Sequence, residues 1–191
     1  MEFKRLEVGS LENNCYILFC PGTGESAIID PAAEAERILG ETEACKVKYI
    51  LITHGHWDHI GALKEVRSRT RAQVGIHELD ARALQRPPDF FLRDGQTLTF
   101  GDLTLKVLHT PGHSPGAVCL LAGNILFSGD TIFPGGPGNT EIPRADYQEI
   151  LKSIHSKIFT LPEDTVIYPG HGLETTVRRE KSTSFYPPSQ R

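Results

Sequence analysis

Short apolar runs separated by turn formers open the chain. "FKRLEV", "NCYILFC" and "SAIID" lie between Gly9, Ser10, Pro21, Gly22 and Gly24, a pattern that predicts three strands in a meander. The period then changes. "AAEAERILGE" carries apolar positions near helical spacing and predicts a helix, "VKYILI" predicts a buried strand, and "IGALKEVRSRT" predicts a second helix. "AQVGIH" reads as a strand. "ELDARALQ" reads as a short helix stopped by Pro87 and Pro88, which lack an N–H and clash with a preceding turn. A second β run follows in "QTLTF", "LTLKVLHT", "GAVCLLA" and "NILFSGD". "DYQEILKSIHSKIFTL" places Ile150, Leu151, Ile154 and Ile158 on one face and is the strongest helical pattern, and "DTVIYP" predicts a last strand. From Ser182 onward, with Pro187 and Pro188, the chain reads as a loosely held tail. Two β-rich halves, each with helices and no linker between them, suit two sheets packed face to face with helices outside.

Composition narrows the class. The 191 residues suffice to bury one core but leave no room for two ordinary domains and a linker, so a single domain over 1–191 is expected. Hydrophobic residues at 39% and charged residues at 23% are those of a globular chain. A net charge of −4 without a dense basic run gives no footprint for nucleic acid or a membrane surface. No apolar stretch approaches the ~20 residues that span a bilayer, and "MEFKRLEVGS" lacks a signal-peptide pattern, so a cytoplasmic location is expected. Cys15, Cys20, Cys45 and Cys119 form no CxxC pair and read as reduced thiols.

The chemistry gathers where strands end. "THGHWDHIG" puts His54, His56, Asp58 and His59 within six positions after one apolar strand. His113 follows another strand in "KVLHTPGHSPG", Asp130 a third in "ILFSGD", and His171 a fourth in "VIYPGHG". Loops on one edge of a rigid sheet bring such residues together from distant parts of a sequence. Imidazoles and carboxylates suit zinc or another first-row divalent ion, and Gly55, Gly61, Gly112, Gly116, Gly129, Gly170 and Gly172 let the backbone bend close to it. A closed structural zinc site needs four donors; these seven fit two ions that share one carboxylate and leave room for a bridging hydroxide. His77 and His155 read as ordinary surface or core histidines, and His109 as a packing or orienting residue. Trp57, among the ligand residues, reads as packing beneath the loop ahead of a substrate contact.

"THGHWDHIG" matches the HxHxDH motif of the metallo-β-lactamase superfamily, and "TPGHSPG", "FSGD" and "YPGHG" match its later motifs in order. Over nearly the whole chain the sequence resembles that superfamily, and within it the short hydroxyacylglutathione hydrolase (glyoxalase II) group. The resemblance implies an α+β fold, a four-layer αββα sandwich. It implies that His54, His56 and His113 hold a first metal, that Asp58, His59 and His171 hold a second, and that Asp130 bridges them, with Asp58 and Asp130 the carboxylates of the catalytic centre. Two divalent ions follow, zinc foremost, with iron or manganese as alternatives. The implied activity is hydrolysis of a small-molecule acyl-thioester by a metal-bridging hydroxide. Asp30, at the end of "AIID", resembles the family's buried carboxylate below the metal loops; a strand-end turn residue before Pro31 is the other reading.

The sequence departs from the group in two places. Longer glyoxalase II enzymes add a C-terminal helical domain that binds glutathione, and this chain ends about twenty residues past His171. Short relatives often read "GRTD" or "GRSDFPGG" after the bridging aspartate, whereas here the stretch is "FPGGPGNTEIPR", with Asn139 in place of the arginine. Arg144, Arg178, Arg179 and Lys181 are the cations left to meet an anionic group, or are ordinary solvated charges. Two rival activities use the same residues. A persulfide dioxygenase would need one iron on His54, His113 and Asp130, and a lactonase would use the same hydroxide on a cyclic ester.

Overall fold

Neighbouring residues of a single strand supply two different cores. In the computed structural model, which describes residues 1–183, 185 and 186, the strand Asn13–Phe19 is buried on both faces: Cys15 and Ile17 point one way, Tyr16 and Leu18 the other. A strand's side chains alternate, so a run without polar breaks is buried on both sides of its sheet.

The first sheet is built from β1 (Glu2–Val8), β2 (Asn13–Phe19), β3 (Glu25–Ile29), β4 (Lys46–Leu51), β5 (Gln73–His77) and β6 (Phe90–Leu92), in that spatial order. The meander β1–β3 is antiparallel. From β3 to β6 the neighbours are parallel, and crossovers carry α1 (Ala35–Gly40) and α2 (Leu63–Thr70). Ala35, Ile38, Leu63 and Val66 of these helices cover one face, with Ile17, Ile28, Ile50 and Val74 beneath them.

The second sheet contains β7 (Thr97–Phe100), β8 (Leu103–His109), β9 (Val118–Ala122) and β10 (Ile125–Gly129). After the small ladder β11 (Ile132–Phe133) and β12 (Gly136–Pro137), the chain forms α3 (Tyr147–Ser153) and then β13 (Val166–Pro169), β14 (Thr175–Thr176) and α4 (Val177–Lys181). The spatial order is β14-β13-β10-β9-β8-β7. Tyr16, Leu18, Ile29 and Leu51 from the first sheet meet Phe100, Val107, Leu120 and Phe127 from the second in the central core. Ile150, Leu151 and Ile154 pack on the outer face of the second sheet over Leu126 and Ile167. The layers are helix, sheet, sheet, helix: the expected αββα sandwich.

Two expectations change, and one strand was not foreseen. "ELDARALQ" holds only a 3-10 turn over Ala81–Ala83, because it buries no apolar stripe: Leu79 is exposed and the buried side chain is Asp80. The strand Phe90–Leu92 that follows gave no alternation to read. The long C-terminal helical pattern is α3 followed by a wider turn, in which Phe159 N–H donates to the Ile154 carbonyl at 2.8 Å, so the apolar face continues as Ile154 and Ile158. Asp146 starts α3 by accepting from Glu149 N–H at 3.0 Å.

The tail is held at Tyr186, which is buried and whose hydroxyl donates to the Phe133 carbonyl at 3.0 Å. Residue 184 and residues 187–191, part of the tail expected to be loose, lie outside the described residues. The four cysteines are free thiols. Among the described residues no helix is long and apolar enough to cross a membrane.

Candidate metal centre

Four strand ends meet on one edge of the sandwich. Residues 53–61 follow β4 of the first sheet; residues 110–116, Asp130 and residues 170–172 follow β8, β10 and β13, which run in the same direction in the second. The two sheets are tied together there. Asn14 N–H donates to the Gly170 carbonyl at 2.7 Å, and the Tyr16 hydroxyl to the Pro169 carbonyl at 2.6 Å. Gly170 has no substitute in this arrangement, since a Cβ would run into Asp130 Oδ1 and His59 Cε1.

The seven sequence-predicted donors come together as two clusters. One holds ring nitrogens of His54, His56 and His113; the other holds donor atoms of Asp58, His59 and His171; within each, all lie within 4.8 Å of one another. Asp130 lies between them. Its Oδ1 is 3.4 Å from His59 Nε2, and its Oδ2 is 3.5 Å from His113 Nε2 and 3.7 Å from His171 Nε2. Asp58 Oδ2 is 3.4 Å from His171 Nε2 and 3.6 Å from His59 Nε2. Such spacings are long for hydrogen bonds, and they match the ~3.4 Å edge of a tetrahedron whose ligands sit about 2.0–2.1 Å from a central ion.

Backbone and carboxylate partners aim the rings inward. His113 Nδ1 donates to the Asn139 carbonyl at 2.8 Å and His171 Nδ1 to the Leu11 carbonyl at 2.9 Å, which leaves each Nε2 facing the centre. His59 Nδ1 meets Asp30 Oδ2 at 2.9 Å. Asp30 also accepts from Thr53 N–H at 2.7 Å and Thr53 Oγ1 at 2.6 Å, so it is the buried partner of a ligand-loop histidine and not a mere turn residue. A third cluster, Asp30, His54 and His59, is therefore already committed through Asp30.

The charges have no other outlet. His54 Nε2, His59 Nε2 and Asp130 Oδ1 are buried without a hydrogen-bond partner. Orphaned buried donors of this kind cost free energy unless something occupies the space between them. Burial, followed by the imidazoles of His59 and His113, holds His54 well below the ordinary imidazole value, so its lone pair is free. Burial and His113 lower His56. Burial also opposes a charge on His59, but the Asp130 carboxylate close to Nε2 and the hydrogen bond to Asp30 outweigh it and push the ring up to about 10. His171 is raised by the Asp58 carboxylate beside its Nε2, against burial. Burial works against ionising Asp58 and Asp130, yet the neighbouring His171 and Asn13, and His59, keep them below the usual carboxylate range. A proton on His59 thus stands where a cation fits: between carboxylates, facing lone pairs.

Sequence reading missed two polar residues here. Asn13 Nδ2 donates to Asp58 Oδ2 at 2.9 Å and lies 3.3 Å from His171 Nε2. Asp80, hidden in the segment read as a helix, accepts from Gly55 N–H at 3.0 Å, Ser114 Oγ at 2.5 Å and Gly116 N–H at 3.1 Å, and so clamps two donor loops together. Neither carries a motif. Trp57 corrects another expectation: it does not pack beneath the loop but is 72% exposed, at the rim of a cavity of about 330 Å³ lined also by Ile60, Leu63 and Leu84. His109 stays outside the clusters, stacked on His77 with ring centroids 4.0 Å apart. Arg178 pairs with Glu163, before the far end of β13 from the donors, whereas Arg144 lines a cleft with His56.

Residues 8–171 match the model of the metallo-beta-lactamase superfamily. The chain belongs to that superfamily. Its members are metal-dependent hydrolases, and the His/Asp clusters are a fitting site for divalent metal. The hydroxyacylglutathione hydrolase GloC of Haemophilus influenzae is 31% identical over 206 residues, covering 96% of this chain and 97% of its own. The probable metallo-hydrolase YqgX of Bacillus subtilis is 34% identical, covering 95% of each. Among solved structures, the BLEG-1 B3 metallo-beta-lactamase superimposes with a TM-score of 0.90 at 34% identity, covering 97% of this chain and 98% of its own. ETHE1 from Myxococcus xanthus gives 0.89 at 28%, covering 99% and 84%. TTHA1623, in a di-iron-bound form, gives 0.82 at 32%, covering 96% and 98%.

Proposed function

We propose that this member is a dinuclear metal-dependent hydrolase acting on small-molecule thioesters of the hydroxyacylglutathione type. His54, His56 and His113 would hold one ion, Asp58, His59 and His171 the other, and Asp130 both. The observation that carries this reading is the position of Asp130, whose carboxylate lies 3.4 Å from His59 of one cluster and 3.5 Å from His113 of the other. The likeness to GloC supports the thioester class, and the likeness to a di-iron form supports two ions, whether zinc or iron.

Two bound divalent ions supply a hydroxide near neutral pH and an electrophile for the carbonyl oxygen. The chain supplies the rest. Asp30 and the carbonyls of Asn139 and Leu11 fix His59, His113 and His171 in the orientation that keeps each Nε2 on the centre. Asn13 steadies Asp58. Asp80 holds the loops of His56 and His113 at a constant separation, so the donors need not reorganise as charge develops. No side chain of the centre is free to act as a general acid, which suits a thiolate, a leaving group that departs without a proton.

A mononuclear persulfide dioxygenase is the second reading, favoured by the likeness to ETHE1. Metal analysis with anaerobic assays of S-lactoylglutathione separates the two. Two ions per chain and oxygen-independent turnover are expected; one iron and a need for oxygen would overturn the hydrolase.

A further inference from the structure

We infer that Arg82 and Arg144 form a carboxylate-binding subsite beside the metal centre, so that the substrate is a thioester carrying a carboxylate away from its scissile bond. This rests on the thioester-hydrolase reading.

The two guanidinium-bearing residues lie 62 positions apart in the chain and line one open cleft of about 420 Å³, together with His56, Ser114 and Pro143. Each is anchored to a donor loop. The turn that carries Arg82 packs on Gly55, where a Cβ would come within 2.8 Å of Ala83 Cβ, so Arg82 stands beside the loop of His56. Arg144 belongs to the segment whose Asn139 carbonyl orients His113 and whose Asp146 N–H donates to the Gly112 carbonyl at 2.7 Å. Its backbone is left-handed, φ 70, a conformation that costs a non-glycine residue free energy and persists only where the surroundings enforce it. Arg144 Nη2 donates to the Leu79 carbonyl at 3.2 Å, which ties it back toward the segment of Arg82.

The charge in this cleft is not cancelled by pairing. Among the described residues no carboxylate lies within ion-pair distance of Arg82 or Arg144, whereas Arg67, Arg69 and Arg178 are paired with Asp89, Glu36 and Glu163. The one acid lining the cleft, Asp80, is buried, and its oxygens are taken by Gly55 N–H, Ser114 Oγ and Gly116 N–H. A guanidinium fork matches a carboxylate in two parallel hydrogen bonds, and two forks on one cleft select for that group over a neutral amide of the same shape. The carboxylate can sit on the acyl or on the thiol portion; the chemistry recognised is the same.

The test uses the metal-loaded protein and two pairs of thioesters. Succinyl-N-acetylcysteamine against its succinamyl amide places the charge on the acyl side; S-acetyl-3-mercaptopropionate against its amide places it on the thiol side. At least one carboxylate should be preferred about tenfold, in KM rather than kcat, as expected for a contact equally strong in ground and transition state. Added salt should shrink the preference, and Arg82→Gln with Arg144→Gln should bring the ratio of carboxylate to amide within about twofold. Hydrolysis of all four without preference would overturn the subsite and leave the hydrolase standing. So would a preference that survives in the double variant, since the metal centre would then be reading the carboxylate. If no thioester is turned over, the hydrolase reading fails, and calorimetry with the corresponding thioethers decides the subsite: tenfold weaker carboxylate binding in the double variant supports it, and equal binding overturns it.

Discussion

Asp30 Oδ2 lies 2.9 Å from His59 Nδ1, with both side chains buried. The carboxylate reaches that position from a left-handed residue, φ 49, at the end of β3, and the same group accepts from Thr53 at the head of the ligand loop. One side chain in the first sheet thus sets both the start of the loop and the direction of its last histidine.

Asp30→Asn keeps the shape and removes the charge behind His59. The ring becomes a weaker donor toward the second cluster, and loss of such a partner typically weakens metal affinity by about 10- to 100-fold. Titration with a chelator should remove one ion from the variant well before the other, at a concentration that leaves the wild type with both. Unchanged affinity at both positions would mean that Asp30 serves packing alone.

Asp130→Ala should damage activity more than His171→Ala. The Asp130 oxygens reach both clusters, whereas His171 belongs to the second cluster alone, beside Asp58. Metal counts should fall toward none in the first variant and toward one in the second; equal activity losses with both ions retained would remove the bridging assignment.

The candidate donors were legible as a group because they are dense in sequence: four in six positions after a strand admit few explanations, and the remaining three each follow a strand and sit beside glycine. The sandwich was legible from two β-rich halves, each with helical patterns and no linker between them, and β2, buried on both faces, is where the two cores meet. What escaped was long-range and singular. Asn13 reaches Asp58 across 45 residues and Asp80 reaches Ser114 across 34, and an isolated Asn or Asp carries no periodicity that points to a distant partner. Trp57 was misassigned for a related reason: an aromatic among ligands is apolar in composition, and only the tertiary arrangement shows that its loop turns it outward.

The metal-free chain should be most stable near pH 6.5. His59 has a folded value of about 10 against its ordinary 6.5, so its contribution is complete below 6.5 and is lost as pH rises through about 10; His171 shifts in the same direction. His54 and His56 are depressed, so theirs is present above 6.5 and is lost as pH falls. Asp58 and Asp130, also depressed, lose theirs below 3.8. A cation in place of the His59 proton removes the alkaline limb. Tm measured from pH 6.5 to 10 should therefore fall for the metal-free chain and stay level for the loaded one; parallel curves would show that His59 does not exchange a proton for metal.

Trp57→Ala should alter substrate size preference without touching the fold. The indole is 72% exposed between His56 and Asp58, and it forms the rim of the cavity that Ile60, Leu63 and Leu84 line. An acyl chain leaving the metal centre on that side would bury methylene groups against it, each worth about 0.8 kcal/mol, or roughly fourfold in kcat/KM. The wild type should therefore gain rate along a series from acetyl to hexanoyl thioesters, and the variant should show a flatter series with the acetyl value unchanged. Removing an exposed side chain should leave Tm within about a degree or two, because little packing is lost. A drop of several degrees would restore the packing role that the sequence suggested. Two series of equal slope would take Trp57 out of substrate binding altogether.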